Sequence, residues 1–396
     1  MKKTIIILIA VLFGTILNAQ TKSEDDDILY YRQLLQERRE LAAQGDGDIL
    51  PTVEDVLIDF AFLLIEREKF SEALPLLEEL LDLAAKGQAD GLNVEAIEEE
   101  LARVLEEIGD EYYAKNDYNT AEKYYLRSLK VNEKLVKNDN TSNLPDVARL
   151  LTQIGNIYHN HRKDYRKAEK YYLQSLSIDE KLVQARPNST IRSSNLSIVL
   201  RNIGLNYYEM KNYKKAENYY LRSLQIREKL VQEQPDKYFP PFITLLDDFG
   251  RNFIAQKNYE EAVRQFQRSL QICERLIKED SDTYLVRLAV ANGNLSWAYL
   301  FLKSYHQSEM AAYRALRLDN TQLWVKVNLA HALLFQNRFS EAENIYMELS
   351  KTIEKDDKTF TPTILDDFNV LEKANAIPKN HKADVEKIKK KLKIKS

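Results

Sequence analysis

The chain has 396 residues, 44% of them hydrophobic and 30% charged, with a formal net charge of −4. One cysteine, Cys273, excludes a disulfide framework, and only 10 glycines and 9 prolines among so many charges suit an all-helical protein with solvated outer faces. The length exceeds the usual ceiling of about 250–300 residues for one compact core. A stack of small units avoids that ceiling, because each unit buries its face on its neighbours.

Residues 1–19 read as a secretory signal peptide. Lys2 and Lys3 give a basic start, an apolar run extends from Ile5 to Leu17, and Ala19 supplies a small residue before a cut at Gln20. The run falls short of the roughly 18–20 residues that span a bilayer. No cysteine follows it to carry a lipid, and no other long apolar stretch exists, so no stable membrane insertion is expected. Residues 20–50 read as an N-terminal capping helix (Asp27 to Ala43) and a linker holding Gly45 and Gly47. Charge is uneven: Glu24 to Glu111 hold 26 acidic and 7 basic residues, a net of −19, and the remainder is basic.

Residues 51–357 read as an array of about seven units. The segment KNDYNTAEKYYLRSL (115–129) returns as RKDYRKAEKYYLQSL (162–176), MKNYKKAENYYLRSL (210–224) and QKNYEEAVRQFQRSL (256–270). Each unit predicts two helices. The first carries an apolar residue, Gly and, three later, an aromatic: Ile108, Gly109, Tyr112; Ile154, Gly155, Tyr158; Ile203, Gly204, Tyr207; Phe249, Gly250, Phe253. The second carries Ala, an aromatic four later and Ser three after that: Ala121, Tyr125, Ser128; Ala168, Tyr172, Ser175; Ala216, Tyr220, Ser223; Ala262, Phe266, Ser269. Residues three and four apart share a helix face. Glycine costs about 1 kcal/mol in a helix, so four in register imply backbones that must approach closely. Asp117, Asp164, Asn212 and Asn258 mark the turns between helices. Degenerate units surround Ala73, Ser308 and Ala342. Residues 358–396 read as a C-terminal capping helix pair (Thr363 to Ala374, Lys379 to Lys393) and a basic tail. Caps of this kind cover the last face of a stack.

The recurring Gly, Tyr, Ala, aromatic, small-residue spacing resembles the tetratricopeptide repeat. The positions equivalent to Ala73 lie 48, 47, 48, 46, 46 and 34 residues apart along the chain. The plain repeat is 34 residues long, so the chain resembles the long-repeat, kinesin-light-chain-like variety, with extended second helices and Pro-punctuated linkers (Pro145, Pro187, Pro235, Pro240, Pro241). The resemblance implies an all-α fold: a right-handed α–α superhelix, or solenoid, of stacked antiparallel helix pairs. It also implies that the inner, concave face of the first helices holds an extended peptide or a partner helix. Counting from each small residue places Arg149, Asn156, Arg201, Asn202, Tyr208 and Arg251 on that face. Guanidinium forks and amides suit carboxylates and peptide backbone. Asn156 and Asn202 match positions of the family's two-lysine, two-asparagine carboxylate clamp, but Thr152 stands where a lysine would, a departure that argues against chaperone binding.

The same count gives an apolar stretch: Trp297, Leu300, Phe301, Trp324, Leu334 and Phe335. It is too apolar to face water alone. It is either a groove for an apolar peptide, with Trp297 and Trp324 as contacts, or a surface covered by the C-terminal helices. The second reading is favoured because Ile364, Leu365, Phe368 and Leu371 need a partner. In each tyrosine doublet, such as Tyr219–Tyr220, one member belongs to the core and the other flanks a groove, since neighbours on a helix point about 100° apart. Cys273 reads as a small buried core residue. His159 and His161 diverge on a helix and no cluster has metal-ligand spacing, so neither metal nor cofactor is expected. The lysines of the tail complement a helix C-terminus, and nucleic-acid binding is not expected.

These observations lead to a non-catalytic interaction scaffold, exported to a periplasm or secreted, that binds protein or peptide partners. No phosphate loop, nucleophile elbow or acid–base pair points to an enzyme. The alternatives are a structural protein self-associating through its acidic N-terminal and basic C-terminal parts, and a helical-solenoid enzyme. Partner identity and oligomeric state are not legible in the sequence.

Overall fold

The computed structural model describes residues 24–45, 50–89, 91–138, 141–278, 281–352 and 359–395. The expected signal peptide, residues 1–19, lies outside them. The chain divides into two units, Met1–Ile157 and Tyr158–Ser396. Among the described residues both are helical, without a β-strand, and successive helices pack as antiparallel pairs. This is the expected all-α superhelical class.

The N-terminal unit contains α1 (Glu24–Ala43), α2 (Val53–Glu66), α3 (Phe70–Ala85), α4 (Val94–Ala114), α5 (Tyr118–Lys137) and α6 (Leu144–Asn156). The expected lone helix is α1, one turn longer at its start than the sequence indicated; Tyr31 stacks on Phe60 of α2 at 5.8 Å. Thr52 opens α2 with a capping box closed by Asp55. The C-terminal unit contains α7 (Tyr165–Ala185), α8 (Thr190–Glu209), α9 (Tyr213–Glu233), α10 (Pro235–Ala255), α11 (Tyr259–Leu276), α12 (Ser281–Phe301), α13 (Tyr305–Leu318), α14 (Leu323–Leu334), α15 (Phe339–Leu349), α16 (Thr361–Lys373) and α17 (Lys382–Lys395).

The repeat motif explains the packing atom by atom. A Cβ on Gly109 would stand 2.6 Å from the Tyr125 ring, and one on Gly204 2.7 Å from Tyr220. Gly250 meets Phe266 in the same way. The glycine is therefore the notch into which the second helix's aromatic fits. The motif serine clasps the pair: Ser128 Oγ donates to the Ala102 carbonyl and Ser223 Oγ to that of Ser197, both at 2.7 Å. Successive repeats are tied by an asparagine two residues after the glycine. Asn206 Nδ2 donates to the Tyr165 carbonyl at 2.9 Å, and Asn252 Nδ2 to that of Tyr213 at 3.2 Å.

The turns are equally regular. The side chains of Asp117, Asp164, Asn212 and Asn258 each accept the backbone N–H three residues on, at 3.1, 3.1, 3.3 and 3.4 Å. These are helix N-caps. Just before them, Asn116, Lys163, Lys211 and Lys257 take left-handed φ values of 61°, 54°, 60° and 63°. The backbone N–H of Asp117, Asn212 and Asn258 reaches the carbonyl five residues back, closing each first helix. In the third repeat Asp164 reaches six back, to Tyr158, because that repeat holds one extra residue. The surplus is absorbed as a π-helical stretch, Ile157–Arg162. The insertion puts His159 and His161 on this π-helical stretch in place of the ordinary helix expected for them.

The long period also has its cause in the helices. The second helices α5, α7 and α9 run 20, 21 and 21 residues, whereas α13 and α15 run 14 and 11.

Candidate partner-binding face

In the C-terminal unit the exposed stripes of the first helices α8, α10 and α12 form a row. On α8 the stripe carries Ile191 and Ile198, 64% and 42% exposed, followed by Arg201, Asn202 and Tyr208. On α12 it carries Val286, 51% exposed, and then Trp297. Between them, α10 contributes Asp248 and Arg251.

Arg201 and Arg251 converge on one carboxylate. Arg201 Nη2 pairs with Asp248 Oδ2, and Arg251 Nη2 with Asp248 Oδ1. The Asp248 side chain is only 1% exposed, whereas those of Arg201 and Arg251 are 28% and 57% exposed. Two guanidinium groups therefore share one buried charge, and the group keeps an excess positive charge at the surface. The Arg201–Asp248 pair bridges α8 and α10, so it also fixes the spacing of two adjacent repeats. Tyr208 is half-buried beside Tyr213, with ring centroids 5.6 Å apart, and feels the Arg251 charge. Asn202 is half-buried and engaged within the fold. Burial pushes the neighbouring Asp247 up to about 6.

Arg149 and Asn156 belong to the N-terminal unit, on α6. Arg149 pairs with Glu106 of α4 and, at 2.6 Å, with Asp146. Gln153 donates to Asp110 at 3.2 Å, and Asp110 also accepts the Tyr125 hydroxyl. Here the first-helix faces of α4 and α6 are linked by acid–base contacts. Asn156 closes α6, half-buried and engaged.

The apolar stretch has a different fate. Leu300, Phe301, Leu334 and Phe335 are buried in one cluster with Ile364, Phe368 and Leu371 of α16 and Val385, Ile388 and Leu392 of α17. Phe368 meets the His331 ring edge-on at 4.7 Å, and the Tyr305 hydroxyl donates to the Ala376 carbonyl at 2.8 Å. Trp297 is partly buried, edge-on to Phe301 at 4.9 Å. Trp324 packs its ring on Gly293 and donates Nε1–H to Gln322 at 2.7 Å.

In the doublets of the second helices the second member, Tyr125, Tyr172 or Tyr220, is buried, and the first stacks on a first-helix tyrosine: Tyr124 on Tyr112, Tyr171 on Tyr158 and Tyr219 on Tyr207, at 5.8, 5.6 and 5.6 Å. Cys273 is fully buried, and burial pushes its thiol up to about 12. Among the described residues, no three of His, Cys, Asp and Glu gather in a metal-holding group. Among the described residues, no helix is long and apolar enough to cross a membrane.

Two family models described as tetratricopeptide repeat match the sequence, one at residues 198–236 and 243–282, the other at 102–135 and 148–182. These four matched segments are tetratricopeptide repeats. Solved structures agree on the fold. The apo form of RapI is similar with a TM-score of 0.53 at 12% identity, over 94% of this chain and 98% of that one. The STAND protein PH0952 from Pyrococcus horikoshii, which has a tetratricopeptide repeat sensor, is similar with a TM-score of 0.51 at 16% identity, over 91% of this chain and 46% of that one. BtubC (BKLC) from P. vanneervenii is 20% identical over 65% of this chain and 93% of that one, with a TM-score of 0.41. No curated protein matches the chain in sequence.

The sequence count found Arg201 and Arg251 but missed Asp248, which joins them, and Arg227, which lies buried behind them. Asp248 was visible as the residue two before Gly250, the place Asn202 holds before Gly204. Arg227 was visible as a charge four residues after a motif serine, within a buried register.

Proposed function

We propose that this tetratricopeptide array is a non-catalytic interaction scaffold, working outside the cytoplasm, that takes peptide segments or partner proteins on the exposed faces of its first helices. The single observation carrying the reading is the row of exposed apolar residues (Ile191, Ile198, Val286) beside the cationic Arg201–Asp248–Arg251 group. Apolar contact supplies affinity, while guanidinium groups with a spare donor capacity select carboxylates and backbone carbonyls. Export rests on the basic and apolar pattern of residues 1–19. The kinesin-light-chain-like subtype rests on the 46–48-residue spacing of the central repeats.

Photo-crosslinking tests the reading. A photoreactive residue at Ile198 or Tyr208 is expected to trap a defined partner from an envelope fraction. The same residue at Leu221, exposed on a second helix, is expected to trap none. Equal trapping from both helices, or none from either, would reject the proposal.

A further inference from the structure

The position four residues after the motif serine is buried in four successive repeats and is different each time: Asn132, Asp179, Arg227 and Cys273 are 3%, 5%, 3% and 0% exposed. Three of the four are neutralised or satisfied. Asn132 donates to the Ser128 carbonyl at 3.1 Å and accepts from Asn143 at 3.0 Å. Asp179 is hydrogen-bonded to Ser175, and burial pushes its pKa up to about 6. Cys273 is a neutral thiol. Arg227 cannot follow them, because burial lowers its pKa only to about 10 and it stays charged at neutral pH.

Among the described residues, Arg227 has neither an ion-pair partner nor a hydrogen-bond partner, and its Nη1 is sealed from solvent. Its charged neighbour is Arg201, of like sign, whose Nε is also sealed and without a hydrogen-bond partner. Tyr238, in the first turn of α10, lies within electrostatic reach, is 2% exposed, and leaves its hydroxyl sealed and unpartnered. The unpartnered donors around Arg227 are thus Arg227 Nη1, Arg201 Nε and Tyr238 Oη, while the one acceptor beside Arg201, Asp248 Oδ2, is held in its ion pair. Asp248 already divides itself between Arg201 and Arg251. A buried guanidinium with no counter-charge is strongly destabilising, and a water molecule would satisfy its hydrogen bonds but not its charge.

We infer that Arg227, with Arg201 Nε and the Tyr238 hydroxyl, holds a small monovalent anion of chloride size between α8, α9 and α10. The ion neutralises Arg227 and leaves Arg201 to share Asp248 with Arg251, so it stabilises the arrangement behind the partner-binding face.

Thermal unfolding of the full chain in sodium chloride and in sodium gluconate at matched ionic strength tests this. The wild-type midpoint is expected to be about 2–4 °C higher in chloride, and Arg227→Met is expected to abolish the difference. In crystals of the wild-type protein grown with bromide, an anomalous peak is expected at the Arg227 guanidinium. Equal wild-type midpoints in the two salts, an unchanged chloride dependence in Arg227→Met, or the lack of a bromide peak there would each overturn the site. Should Arg227→Met fail to fold, the bromide crystal decides alone.

Discussion

Repeats four and five, built from α8 to α11, and repeats six and seven, built from α12 to α15, use the same helix pairing to opposite ends. In the former, glycine notches receive Tyr220 and Phe266, and the first-helix stripes stay open, edged by Arg201 and Arg251. In the latter, the surface from Leu300 of α12 through α14 is apolar, and α16 and α17 seal it with Phe368, Ile364 and Leu392. Side-chain chemistry, not the fold, therefore decides which face of the array is available. A stripe that water can solvate stays open, and one that water cannot solvate acquires a cap.

Both regions bury polar groups, His331 and Asn328 in the capped end among them. Repeats three and four bury polar groups, Asp179 and Arg227, at a position where apolar residues would pack without penalty. The aromatic slot of the seventh repeat is filled by Tyr346, fully buried against Phe368 and His331.

Removing the cap's anchor should have the largest effect. Phe368→Ala deletes a fully buried ring between α14, α15 and α16 and is expected to cost about 3–5 kcal/mol in denaturant unfolding. Hydrogen exchange should place the loss in α14–α17 and leave α8–α11 protected. Loss of protection spread evenly over both regions would break the distinction.

A smaller effect of opposite sign is expected from Asp179→Asn. Burial raises the Asp179 pKa from 3.8 to about 6, so the folded state binds its proton more tightly than the unfolded chain does. The resulting penalty is absent below pH 3.8, grows as pH rises to about 6, and is complete above it. The variant should therefore be more stable than wild type by about 1–3 kcal/mol at pH 8 and should lose the advantage near pH 4. A constant difference across that range would assign the effect to packing instead of charge.

Much of the fold was legible in the sequence, because the glycine, aromatic and serine positions act within one helix pair and recur in register. The turns were legible for the same reason: Asp117 and Asn212 cap the helix they precede. The π-helical stretch was written in the chain as well, as thirteen residues from Gly155 to Ala168 where the other three central repeats have twelve, but only the backbone shows where the surplus goes. The site was half legible. Counting along a helix finds Arg201 and Arg251, and the three-residue spacing of Asp248 and Arg251 on α10 is visible in it, yet it cannot show that Arg201 turns to Asp248, since that contact crosses from α8 to α10. Nor does an arginine announce burial, because its kind is mostly exposed, and only the alignment with Asn132, Asp179 and Cys273 marks Arg227 as interior.

Hydroxyl-radical footprinting of the full chain tests the central distinction most directly. Ile191, Ile198 and Val286 should be labelled rapidly, while Leu300, Phe335 and Phe368 should be protected. Labelling of Phe335 as fast as that of Ile198 would contradict the account, because the apolar stripe would then be as open as the charged one.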